Sequence, residues 1–199
     1  MKRNILPWVF AAAALACVVI IAWPEPAVRH EAGILCPAEP VQEPPTGRRP
    51  FVHDGYRITP LASYRLQALV LARKEYGDEA SELSPMDLAL GWGAMSNQAV
   101  IDLLDIRQSN RFYMWGARRL PISALEISSH SANVHIIPAN DRVRDELGRV
   151  VRGSVVAMNG CLVEVTGPRG FRWRSSLRRD DTGNGSCELF FVESLRVTD

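Results

Sequence analysis

The chain has 199 residues, 47% hydrophobic and 23% charged, with 23 basic against 22 acidic residues and a formal charge of +1. That balance excludes a histone-like polycation and a mostly disordered chain, and four cysteines are too few for a disulfide-dense scaffold. At this length one domain, or one plus an appendage, is expected, burying roughly two-thirds of its unfolded surface without help from metals or disulfides.

The average hides unequal parts, because Lys2 and Arg3 stand alone before residue 24 and every Asp and Glu follows it. From Ile5 to Trp23 the chain reads ILPWVFAAAALACVVIIAW, 19 residues without a charge. That is about one bilayer crossing at roughly 1.5 Å rise per residue. A cleavable signal needs small residues at its exit, and cutting after Ala14-Leu15-Ala16, or treating Cys17 as a lipidation site, leaves the apolar run Val18 to Trp23 at the new terminus. An uncleaved anchor over residues 1–23 is therefore expected, in contact with the lipid bilayer. Lys2 and Arg3 hold its N-terminus in the cytoplasm, and the remainder is exported.

Residues 24–50 hold prolines at 24, 26, 37, 40, 44, 45 and 50. Proline at that density prevents helix and favours extended chain, which predicts a tether. Residues 51–199 form the exported domain. Setting Lys2 and Arg3 aside from the 23 basic residues leaves 21 against 22 acidic, a formal charge of −1 for everything exported, and Lys74 is its only lysine. No nucleic-acid partner is expected from that balance.

Within the domain, Tyr56 to Thr59 and Tyr64 to Ala72 read as extended segments joined by a turn at Pro60. Ser84-Pro85-Met86-Asp87 places a capping hydroxyl before a proline at the first helical position and predicts a short helix into Gly91. Ser96 is expected to cap a second helix over 97–104. Arg111 to Trp115 has strand composition, Ser123-Ala-Leu-Glu126 is a capping box, and Asn140 caps a helix over 141–147 before Gly148. In the last third, Val155 to Met158, Asn159-Gly160 and Cys161 to Val165 predict a hairpin, because Asn-Gly accepts the positive φ angles of a type I′ turn. Thr166 to Gly170 makes the next turn. Phe171 to Leu177 alternates as a strand, Glu188 to Val192 supplies a fourth and Leu195 to Val197 a fifth. The expected architecture is α+β, with short helices followed by an antiparallel meander over 151–199 that resembles a small OB or SH3-like barrel.

The run Ser84-Pro-Met-Asp-Leu-Ala-Leu-Gly-Trp-Gly-Ala-Met-Ser96, together with His130-Ser-Ala-Asn-Val-His-Ile-Ile-Pro-Ala-Asn140 and Arg172-Trp-Arg-Ser-Ser-Leu followed by Asp181-Thr-Gly, resembles an uncharacterised family of bacterial membrane-anchored proteins. The resemblance implies placement in the cell envelope and assigns no activity to any residue.

Candidate chemistry falls in four places. His130, His135 and Asp141, with Asn133 and Asn140 between them, are the densest set of catalytic residue types, and would centre a metal-dependent or acid/base hydrolase with His53 as a distant third ligand. The spacing argues against a shared ion: residues five apart face opposite sides of a strand and lie about 140° apart on a helix. Asp181-Thr182-Gly183 matches the aspartic-protease triplet, but Arg178-Arg179-Asp180 stands where that site needs an apolar strand. A calcium loop from Asp180 fails at Phe191, where glutamate is required. Arg172, Arg174 and Arg178 offer an anion-binding face that Glu164 and Asp180 would partly neutralise. Cys161 and Cys187 are a disulfide candidate in an oxidising compartment.

The expected molecule is thus a single-pass protein of the bacterial inner membrane whose periplasmic domain acts by binding, as an assembly or accessory module for an envelope protein partner. No metal or other cofactor is expected. The alternatives are the histidine-centred hydrolase and an anionic-polymer binder.

Overall fold

The computed structural model describes residues 27–178 and 186–198. The expected anchor and the Asp181-Thr-Gly triplet lie outside the described residues, and among the described ones no helix is long and apolar enough to cross a membrane. The domain is mixed α+β, mostly strand with a few short helices.

Its organising element is β3, Tyr56–Glu75, a single strand of 20 residues. Two segments were expected here with a turn between them. Instead Pro60 is absorbed by a register irregularity between Pro60 and Ala62, which spares the ladder the N–H that proline lacks. The first part of β3 pairs antiparallel with β8, Val155–Thr166, and its second part with β4, Met86–Gly91. β4 pairs antiparallel with β7, Ser131–Pro138, which lies parallel to β10, Glu188–Thr198, and β10 pairs antiparallel with β8. The hydrogen-bonded path therefore returns to its starting strand. Short strands β1, Val41–Glu43, and β2, Phe51–His53, join β3, and β9, Arg172–Arg174, joins β8. A separate hairpin is formed by β5, Asp105–Ser109, and β6, Phe112–Gly116.

Alternation along these strands sends Met86, Leu88, Leu90, Val134, Ile136, Leu162, Phe190 and Val192 into one buried cluster. Helix α3, Asp141–Arg149, joins it through Val143 and Leu147. The opposite set, with Asp87 on β4 and Asn133 and His135 on β7, would face water on a bare sheet. It is buried because other segments lie over it. Trp92, Met95, Ile101 and Ile127 cover one part, and Phe51, Tyr56, Phe171 and Trp173 pack over another.

Several expectations are corrected. The helix expected at 85–91 is strand β4, every residue of which is buried; a segment covered on both faces reads as a continuous apolar run and carries no period to distinguish it. The second helix is shortened to α1, Gln98–Ile101, and Asn97 rather than Ser96 caps it by accepting from the Ala99 N–H. Ser96 Oγ instead donates to the Gly93 carbonyl and accepts from the Cys36 N–H. Asn159-Gly160 makes no turn but lies inside the 12-residue strand β8. Within the last third the pairings are antiparallel, as expected, but β8 lies between β9 and β10, which is not the order of a meander, and β10 also pairs in parallel with β7 outside it. The caps at Ser123, for α2, Ala124–Ser129, and at Asn140, for α3, are as expected: each side chain accepts the backbone N–H three residues on.

The stretch expected as a spacer is extended over its described part, 27–50, but lies on the domain. Cys36 is buried, its carbonyl accepts from the Gly93 N–H at 2.8 Å, and Arg48 makes a paired hydrogen bond to Glu193 at 2.5 and 2.9 Å. Proline-rich extended chain is suited to sheet edges, and β1 takes such a place beside β3.

Candidate functional site

The β5–β6 hairpin turns at Asn110 and Arg111, both at positive φ (51° and 65°). This is the two-residue turn geometry that asparagine favours and arginine does not. Arg111 is held there by its surroundings: its N–H donates to the Tyr76 hydroxyl at 3.1 Å, and its carbonyl accepts from Asn133 Nδ2 at 3.1 Å. Gln108 donates to Asn133 Oδ1 at 2.7 Å, so Asn133 ties the hairpin to β7.

The Arg111 side chain passes between two carboxylates. Nε and Nη2 donate in a fork to Asp78 at 2.9 and 2.6 Å, while Nη1 donates to Asp87 Oδ1 at 3.1 Å and to the Ser84 carbonyl at 3.0 Å. Its guanidinium carbon stands 4.3 Å from the centre of the Tyr76 ring and 5.5 Å from that of Trp173. Asp87 is fully buried, and His135 on the neighbouring strand brings Nδ1 to 2.9 Å from its Oδ1, on an approach too bent to form a hydrogen bond. The His135 ring lies 4.7 Å from that of Trp173. A carboxylate with no access to water is tolerable only with such partners.

Beside this cluster lies a cavity of about 360 Å³ lined by Arg111, Phe112, His135, Arg172, Trp173, Arg174 and Cys187. Two of the three runs singled out in the sequence line it, the second through His135 and the third through Trp173 with its flanking arginines. The first supplies Asp87, which is not in the lining but stands against Arg111 and His135, which are.

His130 and Asp141 do not join His135. His130 ends α2, with its Nδ1 2.9 Å from the Glu126 carbonyl and its ring packed against Gly93, while Asp141 is exposed in the first turn of α3. His53 contacts the Pro138 carbonyl and His30 that of Gly153. Among the described residues no three His, Cys, Asp or Glu side chains are grouped to hold a metal ion. The histidine-centred hydrolase therefore lacks its constellation.

Arg172 and Arg174 share the outer face of β9, as expected, and both bond the single carboxylate of Glu164. The hydrogen bonds from Arg174, then Arg172, hold that carboxyl below its ordinary range. Arg178 lies apart from the cavity lining, and its carbonyl accepts from Ser176 Oγ. Cys161 and Cys187 are not bonded to each other. The register opposes Cys161 to Phe191, four residues past Cys187, which is about 13 Å along the strand and beyond the reach of a disulfide. Burial pushes the Cys161 thiol up to about 11, whereas Cys187 Sγ lies 3.8 Å from the Arg111 carbonyl and 3.7 Å from Asn133 Nδ2.

The hydrogen bonds from Arg111 hold the Asp78 carboxyl down at about 2, from an ordinary 3.8. A lowered carboxylate contributes stability above its unfolded value that is lost as pH falls through the folded one. Because Asp78 is half-exposed, that contribution is under about 1 kcal/mol. The difference in urea midpoint between the native chain and Asp78→Asn is expected to be constant above about pH 4 and to vanish toward pH 2. A difference that stays flat to pH 2 contradicts the assignment.

No family model, curated protein or solved structure matches this chain.

Proposed function

We propose that the chain is a single-pass protein of the bacterial inner membrane, anchored by Ile5 to Trp23, whose exported domain is a binding module for an envelope component. The uncharged run behind Lys2 and Arg3 supports the placement. For the domain, we read the strand circuit β3-β4-β7-β10-β8 and back to β3 as a small barrel of the OB kind. In support, the long strand β3 serves two neighbours, β7 and β10, third and fifth of the five in chain order, run parallel, and α3 lies between β7 and β8. Barrels of that kind take ligands on the face of their second and third strands, flanked by the first and last connecting loops.

The observation that carries the reading is where the cavity falls. Asp87 and His135 come from the corresponding strands β4 and β7, Asp78 from the loop after β3, and Arg172, Trp173 and Arg174 from the segment after β8. A photo-crosslinking side chain in place of Phe112, at the cavity, should yield a discrete adduct in cells carrying the full chain. The same group in place of Val52, which is exposed elsewhere, should not. Equal labelling from both positions, or none from Phe112, overturns the reading.

A further inference from the structure

We propose that the ligand of this cavity is a carboxylated sugar, held by Arg172 and Arg174 against the ring of Trp173; the inference rests on the binding-module reading above. At about 360 Å³ the cavity suits a small ring-bearing ligand rather than a polymer groove. Its seven lining residues include three arginines, one histidine and two aromatic rings, and no carboxylate.

The three arginines are not equivalent. Arg111 spends its guanidinium on Asp78 and Asp87 and is 13% exposed, so it serves as wall and latch. Arg172 and Arg174 are 67% and 52% exposed, and among the described residues they share one carboxylate, Glu164. Each guanidinium carries five N–H donors in a planar fork that matches a carboxylate. Among the described residues, two forks on one acid leave guanidinium donors for a ligand at the cavity.

The charge count favours a singly charged ligand over a polyanion. Asp78, Asp87 and Glu164 together match Arg111, Arg172 and Arg174, so the cluster lacks the accumulated positive charge that counterion release from a nucleic-acid backbone requires. Trp173 is partly buried, with His135 packed 4.7 Å from it and Arg111 at 5.5 Å. With those neighbours against it, its ring is better placed to support one face of a sugar than to join a second ring in sandwiching a base. Phe112, 39% exposed, also lines the cavity.

The test is calorimetric titration of the purified full chain in detergent with galacturonate, with the neutral sugar galactose and adenosine monophosphate as comparison probes. Saturable binding of galacturonate is expected, with galactose at least about tenfold weaker and adenosine monophosphate no tighter than galactose. The Arg172→Ala, Arg174→Ala double variant should lose at least about tenfold in galacturonate affinity, while Arg172→Lys, Arg174→Lys should recover only part of it, since lysine keeps the charge without the fork. Unchanged circular dichroism of the variants excludes loss of fold. Equal binding of galactose, preferential binding of the nucleotide, or an unaffected double variant overturns the proposal. If no saccharide binds while the Phe112 adduct still forms, the ligand class falls and the binding face stands. Absence of both removes the binding face as well.

Discussion

Replacing Asp87 by alanine is expected to destabilise the chain by about 3 kcal/mol, the upper end of the cost of removing a hydrogen-bond partner from a largely buried charged group. The carboxylate is fully buried and stands within 3.1 Å of Arg111 Nη1 and 2.9 Å of His135 Nδ1. Its removal strands a guanidinium that is itself only 13% exposed, with Asp78 left as its one carboxylate. Asp87→Asn keeps the shape and some hydrogen bonding and should lose less, about 2 kcal/mol. Glu75→Ala, which breaks only the solvent-facing pair with Arg73, should cost no more than about 0.5 kcal/mol. Urea denaturation of the three variants, compared at constant slope, checks the order. An Asp87→Ala midpoint indistinguishable from that of Glu75→Ala would show that the buried charges are not coupled to folding. Asp87→Leu, Arg111→Met, His135→Leu should recover stability, since apolar groups of similar volume often replace buried charges without loss, but should not recover ligand binding. That separation distinguishes a cluster retained for function from one retained for the fold.

The second large effect lies far from the cavity. A methyl group added at Gly160 would meet the Phe191 carbonyl oxygen at 2.0 Å, and both groups are backbone-anchored in adjacent strands. Neither can move without opening the ladder where β10 already carries an irregularity between Val192 and Ser194. Gly160→Ala is expected to cost about 3 kcal/mol, at the upper end of overpacking effects. Asn159→Ala, next to it and exposed, should cost less than about 1 kcal/mol. Equal denaturation midpoints for the two variants would contradict the close approach.

Gly160 also shows why the strand order was not legible in the sequence. Asn-Gly is the strongest short-range hairpin signal, yet a glycine inside a strand equally marks a close backbone approach. Only the partner strand, 31 residues later in sequence at Phe191, decides between them. The two-residue turn with consecutive positive φ occurs instead at Asn110-Arg111, where arginine masks the signal. Local chemistry was legible wherever it was self-contained, as at the Ser123 and Asn140 caps and the turn through Gly170.

The candidate site was half visible on the same grounds. His135, Arg172 and Arg174 stood out by residue type, and all three line the cavity. Asp87 fell inside a run read as a helix start from the Ser84 hydroxyl and Pro85, and was not singled out. Its burial follows from β4 being covered on both faces, a property of its neighbours rather than of its own sequence. Arg111 was read as the first residue of a strand, and nothing in its residue type marked the turn it occupies. His130 and Asp141 were grouped with His135 by proximity along the chain, which the fold does not preserve.

The most direct test of the central claim, that ligand binds on the outer face of β4 and β7 between Arg111 and Trp173, is hydrogen exchange of the full chain in an extract of the cells that make it against the purified chain. Added protection in the extract is predicted at residues 111–116 and 171–176, with none at β1. Protection confined to β1, or identical exchange at 111–116 and 171–176 in both preparations, would contradict it.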